Sequence, residues 1–143
     1  MAHMVCRFHS SVLQRMTKVY VFLPDTHAAH DGENKRQYPV MWLLHGLFSG
    51  AQDWFTRTEA EKYAASAGIA LVMPELENSC GLNMQLGDPF CNYVAKELRT
   101  VLGTSLPLCR DREFNWVTGV GYSGYGAALM AAIHPEQFST ACS

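Results

Sequence analysis

Between Phe114 and Pro135 the chain reads FNWVTGVGYSGYGAALMAAIHP, and the chemistry it could carry lies in the glycine-rich centre. Glycines at 119, 121, 124 and 126 separate a β-branched and aromatic run, Phe114 to Thr118, from an alanine-rich apolar stretch that Pro135 stops. This pattern predicts a strand, a sharp turn and a helix. Such a turn needs glycine where φ is positive or where backbones approach closely, and it aims the N–H groups of the helix start at whatever sits above, so negative charge is favoured there. Two chemistries use a turn of this kind. A nucleophile elbow, G-x-S-x-G, carries a catalytic serine, and the frame that fits strand and helix is Gly119-Val120-Gly121-Tyr122-Ser123. In that frame the nucleophile slot holds glycine, and the available hydroxyl, Ser123, comes two residues late. A dinucleotide fingerprint, G-x-G-x-x-G, is matched by Gly119, Gly121 and Gly124, although its acidic partner about 20 residues on is absent between 139 and 143. Both readings stay open on the residue pattern alone, and under the second the helix start holds an anion or a nucleotide phosphate.

Other reactive residue types are scattered. His45 precedes Gly46 at the end of an apolar run, where an H-G pair shapes a loop and its ring hydrogen-bonds nearby backbone; service as a general base is the alternative. Asp25, His27, His30 and Asp31 are metal-ligand types at short spacing. They share one polar loop without a cysteine or a distant partner, so no metal site is expected. Cys80 lacks a nearby histidine or positive cluster in the sequence and reads as an inert thiol. Trp42, Trp54 and Trp116 sit in or beside apolar segments and read as core or pocket wall.

Positioning such groups requires a rigid frame, and the chain supplies one in alternation. Strands are expected near 18–23, 40–45, 69–73 and 115–120, with helices near 58–67, 89–102 and 124–133. Val40 to Leu44 and Ile69 to Met73 are apolar on both faces, as strands covered on two sides of a parallel sheet are. Thr58-Glu-Ala-Glu61 has capping-box spacing ahead of Ala60, Tyr63, Ala64 and Ala67, and Gly68 is the stop. Asp88-Pro89 offers an N-cap and first-turn proline to a helix bearing Phe90, Tyr93, Val94, Leu98, Val101 and Leu102. Strands separated by helices imply a mostly parallel sheet with helices on both faces, and ligands bind beyond the carboxyl ends of its strands. The loops after Leu44 and after Val120 lie at those ends.

Composition excludes several function classes. With 143 residues and 48% hydrophobic content the chain builds one domain, and a formal charge of −2 with no basic run argues against nucleic acid. Its longest apolar stretches reach five residues against the roughly 20 of a membrane helix, so no membrane partner is expected. Residues 1–3 of the opening Met-Ala-His-Met lack the features of a signal peptide and look vector-derived. Five cysteines, odd in number and without a C-x-x-C pair, point to a reducing cytoplasm.

The segment His45-Gly46-Leu47 through Trp54, the Pro74 loop, and Val117 to Pro135 together resemble the serine esterases of the α/β-hydrolase fold. The likeness is to the tributyrin-esterase and S-formylglutathione-hydrolase type and runs from about Ser10 to Ser143. It implies an α/β-hydrolase-like three-layer sandwich, truncated after the elbow helix, over residues 1–143. It also implies carboxylesterase action on short acyl esters, acetyl esters among them, without a cofactor and with a small ester as substrate. Carried over by position, the backbone N–H groups of Leu47 and Tyr122 bind the oxyanion. The family usually reads G-L-S-M-G-G-Y-G across the elbow, and Tyr125-Gly126-Ala127 fixes a frame in which the serine falls on Gly121. None of the six histidines is assignable to the triad, which implies either a piece of a longer hydrolase or a degenerate relative. A sheet that ends after the elbow helix leaves an apolar strand edge, through which self-association is expected.

Overall fold

The computed structural model describes residues 1–24 and 37–143. The Asp25, His27, His30, Asp31 group therefore lies outside the described residues. Six strands form one sheet: β1 (Ala2–Ser10), β2 (Arg15–Leu23), β3 (Val40–Leu44), β4 (Ala70–Pro74), β5 (Asn115–Gly119) and β6 (Thr140–Cys142), in the spatial order β1-β2-β4-β3-β5-β6. The pairs β3/β4, β3/β5 and β5/β6 are parallel, whereas β2 runs antiparallel to both β1 and β4. Each parallel partner is reached through a helical connection, which a parallel crossover requires. The parallel centre follows the sequence expectation; β1 and β6 are additions to it. Residues 2 and 3 at the chain start belong to β1, where Ala2 faces Leu23 and His3 faces Phe22.

Alternation along the central strands sorts side chains into two cores. Val19, Val21, Trp42, Leu44, Val72 and Val117 face one side. Tyr20, Phe22, Leu43, Leu71 and Met73 face the other. The first core is covered by α3 (Phe90–Asn92), the π-helical segment Tyr93–Leu98 and α4 (Arg99–Ser105), which run on without a break, together with α5 (Tyr122–Ile133). The second is covered by α1 (Asp53–Thr56) and α2 (Ala60–Ala67). Covering both faces explains why β3 and β4 are continuous apolar runs rather than alternating ones.

The helices depart from the sequence reading in three places. Thr58 does not cap α2 in a box; its Oγ1 accepts the Ala60 N–H at 3.2 Å while Glu59 is the cap residue, so the chain turns before the helix instead of at its first residue. Tyr63, expected on the buried side of α2, is 67% exposed. Asp88 spends its carboxylate on Arg15 at 2.7 Å, and the Phe90 N–H finds the Asp88 carbonyl instead. Gly68 does stop α2, in the left-handed region at φ 68°.

Candidate active site

The sharp turn lies between β5 and α5, and Gly121 is its pivot. Its φ of 60° and ψ of −125° belong to a region that glycine enters freely and other residues enter only under strain. A Cβ built there meets nothing within 4 Å among the described residues. Its neighbours differ, because they are glycine for lack of room. A Cβ on Gly119 stands 2.1 Å from the Ser123 carbonyl oxygen, and one on Gly126 stands 1.8 Å from that of Cys80. Close approach thus fixes the glycines around the turn, while backbone conformation singles out Gly121.

Ser123 points inward. It is fully buried, and its Oγ donates to the carbonyl oxygen of His45 at 2.5 Å. Tyr122, the first residue of α5, is 72% exposed. That one hydrogen bond joins the turn after β5 to the turn after β3, because the ends of the two strands are adjacent: Leu44 faces Gly119 in the parallel register.

The turn after β3 is held from several directions. His45 is buried, with Nδ1 3.0 Å from the Gly46 carbonyl oxygen and Nε2 accepting the Leu76 N–H at 2.9 Å. The ring is thus engaged with backbone, as expected of a loop shaper. Glu75 Oε1 lies 3.4 Å from Nε2, and Glu75 Oε2 lies 3.6 Å from Lys18 Nζ. The hydrogen bond with His45 holds the Glu75 carboxyl below its usual range despite burial. Burial works against a charged His45, but the hydrogen bonds to Glu75 and to the Gly46 carbonyl outweigh it, and its pKa lies above the ordinary value. Beyond half-buried Leu47, Phe48 takes a φ of 57° and its N–H donates to Asn78 Oδ1 at 2.9 Å. Ser49 Oγ returns to the Gly46 carbonyl at 2.9 Å.

Between these turns opens a cleft of about 200 Å³, lined by His45, Gly46, Ser49, Asp53, Trp54 and Val120 among others. Among the described residues, His45 is the one histidine in its wall. Asp53 braces the floor, its Oδ2 accepting the Gly50 N–H at 3.2 Å and its Oδ1 facing Arg57 Nε at 3.2 Å. Trp54 lines the cleft, whereas Trp42 is buried in the core with Nε1 donating to Asn115 Oδ1 at 3.1 Å. Glu75 and Asn78 were not found by sequence reasoning. Their partners, His45 and Phe48, are 30 positions away, and nothing local marks either residue.

Across residues 10–143 the chain matches the model of the family described as Esterase. The chain belongs to the esterase family. Among curated relatives of this chain are an acetyl esterase of Caldicellulosiruptor saccharolyticus, 26% identical over 89% of this chain and 49% of the relative, and an S-formylglutathione hydrolase of Paracoccus denitrificans, 28% identical over 70% of this chain and 43% of the relative. Among solved structures it superposes on a substrate-bound fluorophosphonate-binding serine hydrolase of Staphylococcus aureus with a TM-score of 0.89, at 25% identity over 96% of this chain and 54% of that one. An S-formylglutathione hydrolase from the same organism gives 0.86, at 26% identity over 98% of this chain and 55% of that one. The fold is that of the α/β-hydrolases, and the chain spans about half the length of the relatives it matches.

Proposed function

We propose that this chain carries the elbow and oxyanion loop of a carboxylesterase scaffold for short acyl esters, with glycine in the position of the nucleophile. The observation that carries this reading is Gly121: a φ of 60° and ψ of −125° at the first bend after the strand, under open space, is where an attacking side chain belongs. On this reading the backbone N–H groups of Leu47 and Tyr122 are the oxyanion donors. Ser123 serves structure, since a hydroxyl spent on the His45 carbonyl in a buried site is not presented to a substrate. The cleft of about 200 Å³ beside Val120 suits a short acyl group, being smaller than the roughly 300 Å³ at which drug-sized pockets begin.

The residues described here then offer charge stabilisation without attack. The test is turnover of p-nitrophenyl acetate by the purified chain, with Ser123→Ala alongside. The expected result is no serine-dependent rate, since oxyanion donors alone leave only a residual acceleration of roughly 10³-fold over water. Hydrolysis that disappears in Ser123→Ala would overturn the frame and make Ser123 the nucleophile. Gly121→Ser adds a hydroxyl on a Cβ that meets no described atom within 4 Å, at the strain of a φ of 60°. We expect no recovery of rate from it in this 143-residue chain, where His45, the one histidine among the described residues of the cleft, is already committed to Leu76 and Gly46.

A second reading is favoured by the same open space: a non-catalytic domain holding an anion or nucleotide phosphate at the start of α5, a helix of 12 residues. Calorimetry with a nucleotide distinguishes it, because binding without hydrolysis is expected only on this second reading. Two further expectations rest on chemistry rather than on the site. All five thiols are free, which supports a reducing cytoplasm, and among the described residues no helix is long and apolar enough to cross a membrane. Among the described residues strand β6, at one edge of the sheet, has a partner on one side only, and we expect self-association through that edge, read as a concentration-dependent mass in light scattering.

A further inference from the structure

A second cleft, of about 440 Å³, opens at the carboxyl edge of the sheet on the far side of Glu75, lined by Arg7, Arg15, Met16, Thr17, Lys18, Glu75 and Glu77. It exists because β2 outruns its neighbour. The last β2–β4 pair is Val19 with Pro74, so residues 15–18 project past β4 with β1 on one side and the turning chain after Pro74 on the other.

Its charges are arranged at a cost. Arg7 on β1 stands directly opposite Lys18 on β2, and like charges facing each other across an antiparallel ladder destabilise it. The other cations have partners. Arg15 Nη2 reaches Glu77 at 2.8 Å and Asp88 at 2.7 Å, while Lys18 shares Glu75 with His45. Arg7 is exposed and makes no ion pair among the described residues. Two of the cations are also pinned by rings, the Arg15 guanidinium 5.8 Å from the centre of Phe90 and Lys18 Nζ 5.6 Å from that of Tyr20. Pinned donors bind with little loss of side-chain freedom. On the rim Glu77 holds a φ of 52°, a strained conformation for a residue with a side chain.

We infer that this cleft is a binding site for a small carboxylate, whose oxygens bridge Arg7 and Lys18 while its carbon stem lies along the exposed side chain of Met16. The ligand's charge converts the Arg7–Lys18 opposition into two charge-assisted hydrogen bonds, which is what offsets its cost when the site is filled. Glu75 and Glu77 set the class. They line the same cleft and repel any large polyanion, so a compact carboxylate is accepted where nucleic acid or polyphosphate is not.

The test uses the full chain with sodium succinate as the probe and sodium chloride at equal ionic strength as the control. Succinate is expected to raise the thermal midpoint above the chloride value and to shift the amide resonances of residues 7, 15–18 and 75–77. Arg7→Glu is expected to weaken the succinate response at least about tenfold. The same variant, without ligand, is expected to melt higher than the parent, because the facing pair becomes attractive. Arg7→Gln should lose the response with a smaller gain in midpoint, which guards against reading a folding defect as lost binding. Equal effects of succinate and chloride, resonances that move elsewhere, or an undiminished response in Arg7→Glu would each overturn the inference. A lower midpoint in Arg7→Glu would also overturn it, marking Arg7 as a guard of the β1 edge. No arm depends on ester turnover, so the outcome is independent of the esterase reading.

Discussion

The two turns that face each other across the smaller cleft are built on opposite plans. The turn after β3 is wired throughout: His45 engages Gly46, Leu76 and Glu75, Ser49 returns to Gly46, and Asn78 holds the N–H of Phe48. The turn after β5 is open at its pivot, where a Cβ on Gly121 would have no neighbour within 4 Å among the described residues. Hydrogen-bonded support of that density is what keeps backbone donors aimed at a developing charge. On the proposed reading of Gly121 as the nucleophile position, the contrast is between a preorganised loop and an attacking position that carries no side chain. Ser123 belongs to the first plan although it lies in the second turn, since its hydroxyl is one more strut under His45.

The largest effect that would break this contrast is expected at Gly126. A Cβ there meets the Cys80 carbonyl, a backbone atom that cannot rotate away, so Gly126→Ala should cost about 3 kcal/mol in denaturant unfolding, the upper end for overpacking. A loss near zero would mean that α5 and the loop bearing Cys80 are not in contact in solution. Ser123→Ala comes next. It removes the donor to the buried His45 carbonyl, with an expected loss of about 1–2 kcal/mol and exchange-broadened amides at residues 45–47. Unchanged stability would show that the two turns are not tied. Gly121→Ala is smaller in origin, because it meets no atom and costs only the strain of φ 60°, about 1–2 kcal/mol. A loss as large as that of Gly126→Ala would show the space above Gly121 to be filled, and would remove the basis for a vacant nucleophile position.

The central fold was legible because β3, β4 and β5 are short apolar runs separated by helical stretches, a pattern that few other architectures satisfy. Strand β1 escaped notice because its burial alternates exposed and half-buried with only Ser10 fully sheltered, so its hydrophobic signal is faint. Strand β6 is three residues long, too short for any periodicity to register. The antiparallel sense of β2 has no mark within β2 itself; it is set by register with Leu71 to Pro74, far along the chain. The sharp turn at Gly121 was legible from its place between strand and helix, whereas Glu75 and Asn78 act across loops on residues 30 positions away. The capping box at Thr58 misled because spacing alone does not tell a helix cap from a turn that precedes one.

The smallest expected effect concerns pH and sharpens what holds His45. Glu75 is depressed in the folded protein, so its contribution to stability is present above its unfolded value and is lost as pH falls through the folded one. His45 is raised, so its contribution is complete below its unfolded value and is lost as pH rises through the folded one. The two windows overlap between the ordinary glutamate and histidine values, roughly pH 4.3 to 6.5, and there the pair is charged on both sides. Protonated Nε2 gains Glu75 Oε1 at 3.4 Å but gives up the Leu76 N–H it accepts at 2.9 Å. The net gain is therefore smaller than a free ion pair would bring. Glu75→Gln keeps the shape and an acceptor oxygen but removes the charge. The difference in thermal midpoint between parent and variant should accordingly be largest between the ordinary glutamate and histidine values and shrink as pH rises through the raised folded value of His45. A difference that instead grows steadily to pH 8 would show Glu75 acting through Lys18, at 3.6 Å, rather than through the histidine of the wired turn.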